Sequence, residues 1–109
     1  MKKDKRYKAF KRILAVAEQG KIKSQCSYLN TNGDVCIIGS LMSLDLLKTL
    51  KSRGYNETYI CELDRKYPRL IDDLGVSSEE LSTMQQMNDD FNPNKAINYV
   101  KREIKKYDC

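Results

Sequence analysis

The residues best equipped for chemistry are Cys36 and the pair Asn88-Asp89. A thiol at a helix N-terminus has a lowered pKa, because the helix dipole favours the thiolate, and a Cys between a strand and a helix is the placement cysteine hydrolases use. Such nucleophiles are activated by a neighbouring base, most often His. The chain contains no His, so Asp89, Asn88 or a lysine would have to serve, and a carboxylate is a poor partner for a thiol at neutral pH. Cys36 is therefore read first as a small packed residue at a tight junction, and a cysteine-dependent enzyme is kept as an alternative. Asn88-Asp89 is read first as a helix-to-helix turn, whose short side chains bond their own backbone. The alternative puts the pair beside Cys36 in a ligand groove, with Tyr28 stacking on a base and Lys21 or Lys23 meeting a phosphate.

The elements that would position these residues can be read from pattern. Asn32-Gly33 is a two-residue hairpin signal, with Gln25 to Leu29 as one strand and Asp34 to Ile37 as the other. In that register Cys36 lies opposite Leu29. From Ile38 the period changes, and Ile38, Leu41, Met42, Leu46, Leu47 and Leu50 give a helix over about 37–52, stopped by Arg53-Gly54. Tyr7, Phe10, Ile13, Leu14 and Ala17 make the core stripe of a helix over about 5–19 before Gly20. Tyr59, Ile60, Leu63 and Tyr67 suggest a helix over 57–67, and Pro68 opens a short one to Leu74. Ser77-Ser78-Glu79-Glu80 has the form of a capping box for a helix over about 78–87, broken by Asn88-Asp89-Asp90. Asn92 and Pro93 start the last helix, about 93–106, with Ala96, Ile97, Val100 and Ile104 inward. The expectation is a single α+β domain, with four to six helices and one small antiparallel hairpin.

Charge is distributed unevenly along the 109 residues. Residues 1–23 hold nine Lys or Arg against two acids, a net +7; residues 24–94 carry −5 and residues 95–109 carry +3. If the two basic ends meet, Lys8, Lys11, Arg12, Lys101 and Lys105 form one positive surface that attracts phosphate; otherwise they are solvated helix faces. Tyr7 and Phe10 are read as core and not as stacking platforms. Cys26, Cys36, Cys61 and Cys109 form no CxxC pair, so the common Cys/His zinc sites are excluded and no metal or other cofactor is expected. Side-chain alternation places Cys26 and Cys36 on opposite faces of the ribbon, so four free thiols in a reducing compartment are expected. No apolar run is long enough for a membrane span, and no signal-peptide pattern follows the basic start. The expected location is the cytoplasm.

Val35-Cys36-Ile37-Ile38-Gly39-Ser40-Leu41 after a hairpin, with Met84-Gln85-Gln86-Met87-Asn88-Asp89 and then Phe91, Ala96-Ile97 and Tyr99-Val100, resembles a group of small, mostly uncharacterised proteins of bacteriophages and bacteria. They carry Cys-x-x-Gly-x-Leu after a hairpin, a later Asn-Asp-like pair and a closing amphipathic helix. This chain departs from the commoner pattern by having one Cys before the Ile-Gly segment and Met before Asn88. The resemblance implies a phage or mobile-element accessory protein of counter-defence type, acting in the host cytoplasm. With the basic ends, it suggests sequestration of a phosphate-bearing ligand, either a signalling nucleotide or nucleic acid. A protein-binding inhibitor of a host defence or regulatory enzyme is the alternative, and a homo-oligomer is compatible with both.

Overall fold

In the computed structural model the described residues are 2–23, 27–90 and 93–108, and the side chains of residues 2–4, 89–90 and 108 are outside that description. Six α-helices carry the architecture: α1 Lys2–Glu18, α2 Leu44–Ser52, α3 Ile60–Lys66, α4 Pro68–Leu74, α5 Ser78–Asp90 and α6 Pro93–Asp108. Helix α6 packs along both α1 and α5, α3 packs on α4 and α5, and α1 meets the 3-10 turn Gly39–Leu41. Phe10 and Ile13 from α1, Leu63 from α3, Leu81 and Met84 from α5 and Val100 from α6 are fully buried together with Tyr28, Ile37 and Ile38. Burial of these apolar faces against one another is the main favourable term in holding the six short helices in place.

The expected α+β class is overturned: the described residues contain no strand, and the chain is all-α. Among the described residues, one antiparallel bridge, Leu29 with Val35, falls within the expected hairpin, and a second, Ile22 with Val35, is parallel and lies outside it. The turn explains the changed register. Asn30 Oδ1 accepts the Asn32 and Asp34 amides at 2.9 Å each, and the Gly33 amide donates to Asn30 O at 3.2 Å. Gly33 alone in this turn has positive φ, so three residues lie between Asn30 and Asp34 where the two-residue reading had only Asn32-Gly33. Leu29 therefore faces Val35 and not Cys36. The ladder stops at Tyr28, whose carbonyl accepts the Cys36 amide but whose own amide goes to Asn56 O; on the side turned away from Val35, the Asn56 side chain accepts the Leu29 amide at 3.1 Å and donates to Leu29 O at 2.9 Å. Val35, Cys36, Ile37 and Ile38 are all buried, so the in–out alternation of a half-exposed strand is absent. Gln25, Cys26 and Cys109 lie outside the described residues, as does the Asn92 cap.

The single helix expected over 37–52 is two elements. Chain direction changes at Met42, which is extended, and α2 starts afresh at Ser43, whose Oγ accepts the Leu46 amide at 3.2 Å. Arg12 of α1 caps the preceding turn, donating from Nε to Ser40 O and from a terminal nitrogen to Met42 O, both at 3.0 Å. Helix α3 starts later than its apolar spacing suggested, and Tyr59 is 76% exposed at its N-cap position instead of inward. Helix α5 runs through Asn88 to Asp90, so the expected break is absent. Ser77 Oγ does accept the Glu80 amide at 3.2 Å, but the Glu80 carboxylate bonds Arg6 and Tyr99, other partners than the reciprocal cap supposed.

Candidate functional site

The groove proposed from the sequence is filled by its own residues. Tyr28 is fully buried with its hydroxyl donating to Thr58 O, so its ring presents no face to a base. Cys36 is fully buried and its Sγ accepts the Gly39 amide at 3.4 Å, which leaves no route for a substrate to the thiol. Asn88 is also fully buried, and its Nδ2 donates to Lys23 O at 3.1 Å, tying α5 to the segment that follows α1. It is a tertiary tether, where the sequence suggested a turn former or a ligand contact. Lys21 and Lys23 are exposed, and the Asp89 side chain lies outside the described residues. Among the described residues no cluster of His, Cys, Asp and Glu could hold a metal ion, and no helix is long and apolar enough to cross a membrane.

The exposures of the two described thiols give a direct check. Brief labelling of the native protein with a maleimide, followed by peptide mass mapping, is expected to modify Cys61, which is exposed, and to spare Cys36 until denaturant is added. Labelling of native Cys36 at the rate of Cys61 would contradict its burial.

A polar cluster that joins three helices was not apparent in the sequence. The guanidinium of Arg6 makes a two-point contact with Glu80, Nε to Oε1 at 2.7 Å and a terminal nitrogen to Oε2 at 2.6 Å. It also donates to Glu103 Oε1 at 2.8 Å and to the Tyr107 hydroxyl at 2.7 Å, and it stacks 4.4 Å from the Phe10 ring centre. Glu80 receives the Tyr99 hydroxyl as well, and Glu103 pairs with Lys106 at 2.7 Å. Helices α1, α5 and α6 are thus clamped at one point. The Arg6 fork holds Glu80 below the usual carboxylate range, and Lys106, then Arg6, do the same for Glu103. Burial, followed by the bond to Glu80, pushes Tyr99 up to about 12. A cleft of about 700 Å³ opens beside this clamp, where the formal charges of Lys5 and Arg6 are matched by those of Asp72 and Glu80.

The basic helices are brought together. Tyr7 of α1 packs edge-on against Tyr107 of α6, ring centres 5.5 Å apart, so the start of α1 lies beside the end of α6 and the two run antiparallel. Lys8, Lys11, Arg12, Lys101 and Lys105 are all exposed. Lys11 lies over the Tyr7 ring at 5.5 Å, which places it on the flank of α1 that meets α6. On α6, Tyr99 and Glu103 turn toward Glu80 of α5 and Arg6 of α1, and helical spacing puts Lys101 and Lys105 on the opposite, outward side. Glu103, an acid within the basic stretch of α6, is turned inward and neutralised. Arg12 is the exception in the predicted set, since two of its donors are engaged by the carbonyls of Ser40 and Met42. No protein-family model, curated protein or solved structure matches this chain.

Proposed function

We propose that the protein binds a phosphate polyanion, nucleic acid, on the exposed lysine face of α1 and α6, and acts by occupying its ligand without chemistry. One observation carries this reading: α1 and α6, the carriers of most of the positive charge, pack side by side with Lys8, Lys11, Lys101 and Lys105 exposed. Several lysines on neighbouring helices neutralise successive phosphates and release their counterions, which is sufficient for sequence-independent affinity. A pocketed signalling nucleotide is disfavoured, because Tyr28, Cys36 and Asn88 are consumed by the core. The burial of Cys36 likewise tells against a thiol enzyme. The phage-like resemblance fits an accessory protein that sequesters its ligand in the host cytoplasm.

The test is binding of a labelled DNA duplex as a function of salt. Affinity is expected to fall linearly in log–log form, with a slope near −0.9 for each phosphate neutralised. Replacing Lys8, Lys11, Lys101 and Lys105 together by Gln is expected to weaken binding by at least about tenfold at 0.1 M salt and to flatten that slope. Unchanged affinity and slope in this variant would remove the face from the interaction, and no binding to any nucleic acid at low salt would overturn the proposal.

A further inference from the structure

The outward arc of α6 differs in kind from a merely solvated basic helix. Asn94, Asn98, Lys101, Arg102 and Lys105 recur at spacings of three, four, seven and eight residues, so they share one face, and each is exposed. The opposite face, Ala96, Val100 and Ile104, is buried, and Glu103 is withdrawn into the Arg6 clamp. The arc thus bears two amides toward the N-terminal end and three cations toward the C-terminal end, with the half-buried Ile97 on its flank. A straight helix of 16 residues is about 24 Å long and, with side chains, about 10–12 Å wide, which matches the major groove of B-form DNA at about 12 Å. Amide side chains on such a helix can donate and accept together at an adenine edge, while lysines and arginines reach phosphates or guanine.

Resting on the polyanion reading above, we infer that the ligand is double-stranded DNA and that α6 lies along its major groove, with Asn94 and Asn98 facing base edges. Lys101, Arg102 and Lys105 then hold the backbone further along the helix, and Lys8 and Lys11 of α1 lie on the phosphates bordering the groove. The aromatic side chains of α1 and α6 do not suit a single strand, which is held by bases stacking on exposed rings: Phe10 is buried, Tyr7 and Tyr107 pack on each other, and Tyr99 bonds Glu80. An RNA duplex is a poor fit, because its A-form major groove is too deep and narrow for side chains to read.

The deciding experiment compares wild-type protein with Asn94→Ala/Asn98→Ala on a DNA duplex, its single strand and an RNA duplex of the same sequence, and in selection from a randomised DNA duplex pool. Wild type is expected to prefer the DNA duplex by about tenfold and to enrich an adenine-containing sequence. The double variant should keep its affinity for unselected duplex within about twofold and lose about tenfold on the enriched one. Equal or tighter binding of single strand or RNA duplex, an unenriched pool, or the same enrichment by the variant would each overturn the inference and leave the polyanion reading standing. Failure to bind any of the three would overturn both.

Discussion

Replacing Arg6 by Met is expected to destabilise the protein by about 2–3 kcal/mol and to lower its melting temperature by roughly 10 °C, measured by urea and thermal unfolding at pH 7. The magnitude follows from what stays behind. Arg6, Glu80 and Glu103 side chains are 24%, 16% and 15% exposed, so the pair is partly dried and weaker than a fully buried one, but far from a surface bridge. Without the guanidinium, two carboxylates face each other across α5 and α6, and α1 loses its polar attachment to both. Arg6→Lys should recover only part of the loss, since one ammonium cannot span both Glu80 oxygens. In a double-mutant cycle with Glu80→Gln, coupling of about 1–3 kcal/mol is expected. A loss below about 0.5 kcal/mol in Arg6→Met would reduce the cluster to an ordinary exposed pair.

The same cluster makes stability depend on pH at both the acid and the alkaline end. Glu80 and Glu103 have pKa values depressed in the folded protein, so at acid pH the unfolded chain binds more protons. Their contribution is fully present above the unfolded value of about 4.3 and is lost as pH falls through the folded values. Tyr99 behaves oppositely: its pKa is raised to about 12 from 10.0, so its contribution is present below about pH 10 and lost as pH rises through 12. The melting temperature of wild type should therefore drop below about pH 4.5, and this acid limb should be flatter in Arg6→Met, where Glu80 has lost its cation and Glu103 keeps Lys106.

How far the chain could be read in advance follows from the range of the interactions involved. Local periodicity carries the stripe of Phe10 and Ile13, that of Ala96, Val100 and Ile104, and the short Pro68–Leu74 helix with Gly75 beyond it, since helical spacing and caps lie within a few residues. The hairpin reading failed because the Tyr28 amide goes to Asn56 O and the Val35 backbone pairs with Lys21 and Lys23, both outside the expected strands. The clamp was hidden for the same reason. Glu80 carries the local signature of a reciprocal cap, but its carboxylate is claimed by Arg6, 74 residues away. For the candidate site, the four consecutive apolar residues Val35–Ile38 with Cys36 among them were a signal for burial on both faces. Excess positive charge at the two ends was readable as composition, but the packing of α1 on α6 depends on Arg6 and Tyr107.

Gly39→Ala is expected to cost about 3 kcal/mol or more, or to prevent folding, because a Cβ there would stand 2.2 Å from the Tyr28 carbonyl oxygen and 3.2 Å from Val35 Cβ. The obstacle is backbone, and it cannot retreat cheaply. Tyr28 is held by its amide on Asn56 O, by its hydroxyl on Thr58 O and by its carbonyl, which accepts the Cys36 amide at 3.4 Å. Gly33→Ala is the informative comparison: φ is +85° with nothing within 4 Å of the added carbon, so only the left-handed backbone is penalised, by about 1–2 kcal/mol. Urea unfolding of the two variants should separate them clearly. Equal costs would mean that the Tyr28 segment shifts freely from Gly39. A much larger cost at Gly39 would identify this backbone contact as what locks Tyr28 and Cys36 inside the core.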